Sequence, residues 1–326
     1  MSFLQALQCQ NTGSPPIWCL RQAGRYMAAY RRLRELYSFE ELCCTPGLAA
    51  EVTLQPIQAF NFDAAILFSD ILLPLKALSI RPSFEGREGP KLFGPPWTQV
   101  RRPADLSGSL MEAIGNVYSA AQILVGQLDR PLIGFSGAPW TLAAFIIEGG
   151  SSKEFRKAKA AIGTPELDRL ISLLEDLVVE HLRLQVQAGC RVLQVFDSCV
   201  DLLAPSATEQ YSFKPFERIL RRLPPCPIIF YKARAGQYPR GAALSFDTSV
   251  DLSKMRPLLP PATTIQGNLD PHWLLQPKEK LVAEIRRICD PMKTDPGFIF
   301  NLSRGILPET SEEAVRWLVD AVRART

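Results

Sequence analysis

The sequence predicts an α/β protein built as a (β/α)8 TIM-type barrel in a single domain. Three observations predict it. Eight short apolar runs are spread along the 326 residues. Helix-period stretches separate most of them, and a polar residue follows each run. Alternation of strand and helix implies a parallel sheet, and eight strands is the number that closes a barrel. An open doubly wound sheet is the alternative, because two of the runs are short.

In order, the predicted strands are "IWCL" (17–20), "DAAILF" (63–68), "PLIGF" (131–135) and "RVLQVF" (191–196), then "PIIFY" (227–231), "AALSF" (242–246), "TTIQ" (263–266) and "GFIFNL" (297–302). The second and third are separated by "RPSFEGREGPKLFGPPWTQVRRP" (81–103), an irregular excursion within the domain and not a linker. Helical periodicity resumes at 110–124 and is clearest over 164–189, where apolar residues recur every three or four positions.

Barrel enzymes place their chemistry at the carboxyl ends of the strands, so the residues after each run are the candidates. They are Arg21, Ser69 with Asp70, Ser136, Asp197 with Ser198, Lys232, Asp247, Gly267 with Asn268, and Ser303 with Arg304.

Composition narrows the partners. Hydrophobic residues make up 47% and charged residues 21% of the chain, an ordinary globular balance. A net charge of +4 gives no ground for nucleic-acid binding. Arginine outnumbers lysine, 26 to 11, and its planar fork suits carboxylates and phosphates. No apolar run approaches the ~18 residues of a membrane span, and the opening "MSFLQALQCQ" is too short and polar for a secretory signal. The eight cysteines include no CxxC pair and read as reduced thiols of a cytoplasmic protein.

In "PIWCLRQAGRYM" (16–27), Arg21 and Arg25 fall four residues apart at a strand exit. Were this stretch helical, both would share one face, where like charges repel unless an anion holds them. Gly24 permits close approach to the backbone, and Trp18 and Tyr26 offer flat apolar surface, a combination suited to a bulky, flat anion. Asp70 ends a hydrophobic stretch, either as a helix cap or as an inward acid that stabilises developing positive charge. The glycines of 131–155 lack Walker spacing. His181 and His272 are the only histidines and make no HxxxH or HxC element, so no metal site is expected. Lys232 as a Schiff-base lysine and Cys199 as a nucleophile are conceivable, without other support.

Several of these segments together resemble the uroporphyrinogen decarboxylase family. They are "PIWCLRQAGRYM", "LAAEVTLQPIQAFNFDAAILFSDIL" (48–72), "GFSGAPWTLAAFIIEGG" (134–150), "QVFDS" (194–198), "IQGNLDP" (265–271) and "FNLSRGI" (300–306). The likeness spans nearly the whole chain. It implies a homodimeric barrel that uses no cofactor and removes the acetate carboxyls of uroporphyrinogen III to give coproporphyrinogen III. By the same resemblance Arg21 and Arg25 bind substrate carboxylates, and one of them supplies a proton. The backbone of Arg21, Gln22, Ala23, Gly24 and Arg25 lines the site, and Asp70 gathers the pyrrole N–H groups. Phe145, Ser198 and Arg304 complete the substrate-binding set.

The chain departs from the family at three places. Phe145 stands where tyrosine is usual, Arg304 where histidine is usual, and Cys199, Val200 and Asp201 replace the customary aromatic and glycine after "FDS". An inward Asp201 would repel a polyanion. Two further readings follow: a relative that binds tetrapyrroles with little or no turnover, and a corrinoid-linked methyltransferase of the same superfamily. The latter needs zinc ligands that this sequence does not supply.

Overall fold

A computed structural model describes residues 2–86 and 89–324. Among the described residues, nine strands form two sheets. They are β1 Ala65–Ile66, β2 Arg81–Ser83, β3 Lys91–Phe93, β4 Leu132–Gly137, β5 Val192–Phe196, β6 Ile228–Ala233, β7 Ala243–Phe246, β8 Ile265–Leu269 and β9 Phe298–Leu302. Seven of them make one curled parallel sheet in the order β1-β4-β5-β6-β7-β8-β9, and β2 pairs with β3 as an antiparallel hairpin.

Seven of the eight predicted strands therefore exist, one of them much shortened. The run 63–68 keeps only β1, because Asp63 and Phe68 at its ends turn to other partners. Asp63 Oδ2 accepts from the Ile17 amide at 2.7 Å, and the Phe68 amide donates to Thr53 Oγ1 at 2.9 Å. The predicted strand 17–20 is a single parallel bridge between Ile17 and Phe300. Pro15 and Pro16 precede it without backbone donors, and side chains capture the amides a ladder would need. Asp63 takes that of Ile17, and Asn301 Oδ1 takes that of Leu20 at 3.0 Å.

Helices fill most connections, as parallel neighbours require. Pro165–Gln187 starts on Thr164, whose side chain accepts from the Leu167 amide, and its apolar stripe is buried. The loop 234–242 between β6 and β7 carries no helix. The excursion 81–103 contains the β2–β3 hairpin, which docks on the end of helix Pro139–Glu148. Lys91 bridges Gly150, and the Leu92 amide donates to Gly149 O at 2.9 Å. A Cβ at Gly150 would lie 2.4 Å from Pro90 O, so these glycines serve the hairpin contact.

The interior is not wholly apolar. Trp18 Nε1 donates to Gln266 Oε1 at 2.8 Å, and Gln266 Nε2 reaches Ser245 Oγ at 2.9 Å and Gln194 Oε1 at 3.3 Å. All four residues are buried, so each bond satisfies a group that water cannot reach. Trp18→Phe leaves the Gln266 carbonyl without its donor. It should cost about 2 kcal/mol of stability, read as a lower denaturant midpoint at unchanged slope.

Candidate active site

Parallel strands put all their carboxyl ends on one edge of the sheet, and the candidate residues follow those ends. The arginine loop is fixed there from below. Leu20 donates its amide to Asn301 Oδ1 at 3.0 Å, and its carbonyl accepts from the Ile306 amide at 3.0 Å. Arg21 follows with φ 55°, a left-handed backbone that costs a non-glycine residue energy and turns the chain sharply. Its side chain then runs across Gly305. A Cβ on Gly305 would lie 2.4 Å from Arg21 Cδ, so only glycine lets the arginine lie there.

The two arginines do not share a helical face. Helix Ala28–Leu36 begins after both, and residues 21–27 are turns. Arg21 and Arg25 are exposed. Arg31 Nη1 donates to the carbonyls of Arg25 and Tyr26 at 2.9 and 2.8 Å, which fixes the end of the loop. Ala23 and Gly24 are half-buried. Gln22 is buried, and neither its Oε1 nor its Nε2 has a hydrogen-bond partner in the protein. Trp18 and Tyr26 are core residues and not an open apolar surface. Trp18 bonds Gln266, while Tyr26 stacks on Phe60 and donates to Gln22 O at 2.6 Å.

Asp70 caps a turn and also stands where burial acts on its charge. Its Oδ1 accepts from the Leu72 amide at 2.8 Å, capping the turn before the 3-10 helix Leu73–Leu78. Burial pushes its carboxyl up to about 6, against the opposing pull of the Leu72 amide and the positive charge of Arg21. The acid and the arginine thus share one electrostatic neighbourhood, at the ends of β1 and of the 17–20 segment.

The remaining candidates lie around the same edge. Ser198, after β5, is exposed. Its neighbour Asp197 is buried and faces the helices, accepting from Thr141 Oγ1 at 2.7 Å and from the Ser212 hydroxyl. Burial pushes Asp197 up to about 6 against those two donors, and its partners mark it as a structural brace. Phe145 is half-buried on helix Pro139–Glu148, edge-on to Phe155 at 5.6 Å. Cys199 is buried and its thiol is pushed up to about 12, which disqualifies it as a thiolate nucleophile at neutral pH.

Two charge clusters escaped the sequence reading because their members come from different strands. Lys232 pairs with Asp201 and, at 2.5 Å, with Asp247, while Arg234 Nη2 holds Asp201 at 2.9 Å. Burial pulls Lys232 down, yet the two carboxylates hold its ammonium above the ordinary value, so it is a poor Schiff-base amine. Asp201 is thereby neutralised by two cations. In the second cluster Arg304 Nη2 lies 3.4 Å from Asp270 Oδ1 and 2.9 Å from His272 Nδ1. His181, by contrast, is packed against Tyr118 Oη at 2.9 Å, and burial pulls its imidazole down to about 3.

Among the described residues no three His, Cys, Asp or Glu side chains gather as a metal site, and no helix is long and apolar enough to cross a membrane.

Comparison with known proteins matches residues 1–325 to the family described as "Uroporphyrinogen decarboxylase (URO-D)". A uroporphyrinogen decarboxylase of Protochlamydia amoebophila is 39% identical over 99% of this chain and 91% of its own. One from Thermus thermophilus is 39% identical over 98% of this chain and 97% of its own. Among solved structures, a methyltransferase from Methanosarcina mazei superposes with a TM-score of 0.75 at 18% identity, covering 99% of this chain and 97% of that one. That likeness concerns the fold alone.

The raised acid at position 70 carries a stability consequence. The folded carboxyl binds its proton more tightly than the unfolded one, whose ordinary value is 3.8. Folding is therefore favoured at low pH, and that advantage is lost as pH rises from about 4 through about 6. Asn at this position accepts the same Leu72 amide without charge. Asp70→Asn should be more stable than wild type above pH 7, by about 2 kcal/mol, and converge with it near pH 4. Thermal melts across that range check it.

Proposed function

Because the chain belongs to the uroporphyrinogen decarboxylase family, we propose that its arginine loop and Asp70 form the site at which acetate side chains of a tetrapyrrole lose carbon dioxide. The protein is a carboxy-lyase of tetrapyrrole biosynthesis, acting on uroporphyrinogen to give coproporphyrinogen. Neither a non-catalytic tetrapyrrole binder nor a corrinoid-linked methyltransferase is favoured. The observation that carries the site reading is the arginine loop, with Arg21 laid over Gly305, at the same sheet edge as the turn that Asp70 caps.

A uroporphyrinogen ring is flexible and carries many carboxylates, so its site needs fixed cations around a less polar floor. Arg21 and Arg25 supply the cations. Arg304 and Ser198 offer further donors at the ends of β9 and β5. The backbone of Gln22, Ala23 and Gly24 and the ring of Phe145 supply surface between them. With a carboxyl titrating near 6, Asp70 is charged at neutral pH and accepts the pyrrole N–H groups.

Decarboxylation needs a place for the electron pair of the breaking C–C bond. Protonation of a pyrrole ring carbon, with an arginine of the loop as donor, makes the ring cationic and able to accept that pair. Carbon dioxide leaves and its bonding pair forms an exocyclic methylene. A second proton turns that into the methyl group, and loss of the first proton from the ring carbon restores the pyrrole, so one proton is consumed overall. Asp70 is anionic and incompletely solvated, so it stabilises the cationic ring more than the neutral one, which is the differential binding that catalysis requires. The protonated ring supplies its own electron sink, so the reaction calls for no cofactor.

The finer architecture belongs to the same reading. The Ile17–Phe300 bridge and the Asp63 contacts with Ile17 join the two edge strands, β1 and β9. They support a (β/α)8 barrel in a single domain whose eighth member is the 17–20 segment. A homodimeric, cytoplasmic enzyme is proposed by the family resemblance.

Purified protein, without added metal or cofactor, should convert uroporphyrinogen to coproporphyrinogen under anaerobic conditions, followed by chromatography of the oxidised products. Asp70→Asn should lower kcat by about 100-fold or more while remaining folded. Phe145→Tyr should change it by about tenfold at most, the value of one neutral hydrogen bond. Folded wild-type protein yielding no product would overturn the assignment.

A further inference from the structure

His272 presents one atom to two partners that exclude each other. Its Nδ1 lies 2.9 Å from Asp270 Oδ1 and 2.9 Å from Arg304 Nη2. Arginine only donates and an ionised carboxylate only accepts, while an imidazole nitrogen either carries a hydrogen or offers a lone pair. Nδ1 therefore serves Arg304 only when bare and Asp270 only when protonated.

We propose that His272 is a positioning residue for Arg304: a bare Nδ1 tethers the guanidinium, and a proton on Nδ1 releases it to the carboxylates of the substrate. This deepens the function proposed above and rests on its placement of Arg304 among the carboxylate-binding groups.

The surroundings fit a partner exchange. Asp270 is held in place, because its Oδ1 also accepts the His272 amide at 3.0 Å and so caps the turn Pro271–Leu275. Arg304 and His272 have side chains 54% and 59% exposed, which leaves both room to reorient. The neighbouring Ser303 carbonyl accepts from the Tyr231 hydroxyl at 3.0 Å, which ties the loop carrying Arg304 to β6. When Nδ1–H donates a hydrogen bond to Asp270, Arg304 keeps only a 3.4 Å contact to an oxygen already in use.

The other charged groups facing His272 come from the two helices packed against its turn. Helix Lys278–Cys289 brings Lys280 and the Glu284–Arg287 pair to a cavity of about 730 Å³ that His272 lines. Helix Glu312–Arg323 packs on the same turn and presents Trp317, with Lys278 over its ring.

Uroporphyrin I, the planar fluorescent relative of the substrate, is the probe, and its dissociation constant is measured from pH 6 to 8.5. Wild-type binding should weaken about fivefold over that range, the worth of one partly exposed charged hydrogen bond. His272→Phe, which cannot tether, should bind tightly at every pH. His272→Gln, whose amide oxygen accepts from arginine at every pH, should bind weakly throughout. The proposal is overturned if His272→Phe keeps the wild-type pH dependence, or if His272→Gln binds as tightly as His272→Phe. Turnover of uroporphyrinogen by wild-type protein, measured alongside, judges the decarboxylase reading separately, since the binding series needs no catalysis.

Discussion

Leu20 is held by both of its backbone polar groups to the segment that contains and follows β9, through Asn301 and Ile306. Those two bonds set where the next residue can go. Arg21 leaves in a left-handed turn and its aliphatic stem lies on Gly305, with no space for a Cβ beneath it. Strained backbone of this kind persists only where its surroundings over-determine it. Here the surroundings are the chain's first and last sheet-edge segments, nearly three hundred positions apart in sequence. An arginine stem held against glycine loses less rotamer freedom when an anion arrives, so more of the interaction remains as affinity.

Asp70 sits where burial disfavours its charge, and the Leu72 amide and Arg21 only partly offset that. A carboxylate raised toward neutrality is a liability for folding and an asset for chemistry, because it gains most when positive charge develops beside it. Asp197 is raised as far but is enclosed by Thr141 and Ser212, so the same electrostatics there serve packing. What separates the two acids is access, and access depends on which way a strand end turns.

Around the rim, charge is balanced before any ligand binds. Asp201 and Asp247 meet Lys232 and Arg234, so that part of the edge is near neutral overall. Among the described residues, Arg21 and Arg25 stand exposed at that edge, with Arg304 shared between Asp270 and His272. Charge in this protein is thus arranged by compensation at the β5–β7 ends and by exposure at the arginine loop. The buried Trp18, Gln266, Gln194 and Ser245 contacts lie beneath both and supply polar order to the interior of the sheet.

The sequence alone determined the parallel α/β class, because strand and helix periods are local properties of the chain. Seven of the eight strands were legible for that reason, as was the excursion at 81–103. Arg21, Arg25 and Asp70 could be singled out because each stands at the end of an apolar run. The tertiary structure decided what those runs could not. Segment 17–20 has strand composition, yet Asp63 and Asn301 take its amides, and no local pattern encodes a side chain arriving from elsewhere. Trp18 and Tyr26 look available in sequence and are core residues in the fold, since burial is a property of the assembled layers. Asp201 reads as a misplaced negative charge until Lys232 and Arg234 come beside it, and Arg304 as an isolated cation until Asp270 and His272 do. Periodicity is short-ranged and can be read along one chain, whereas electrostatic partnership is set by distance in space, which only the folded sheet defines.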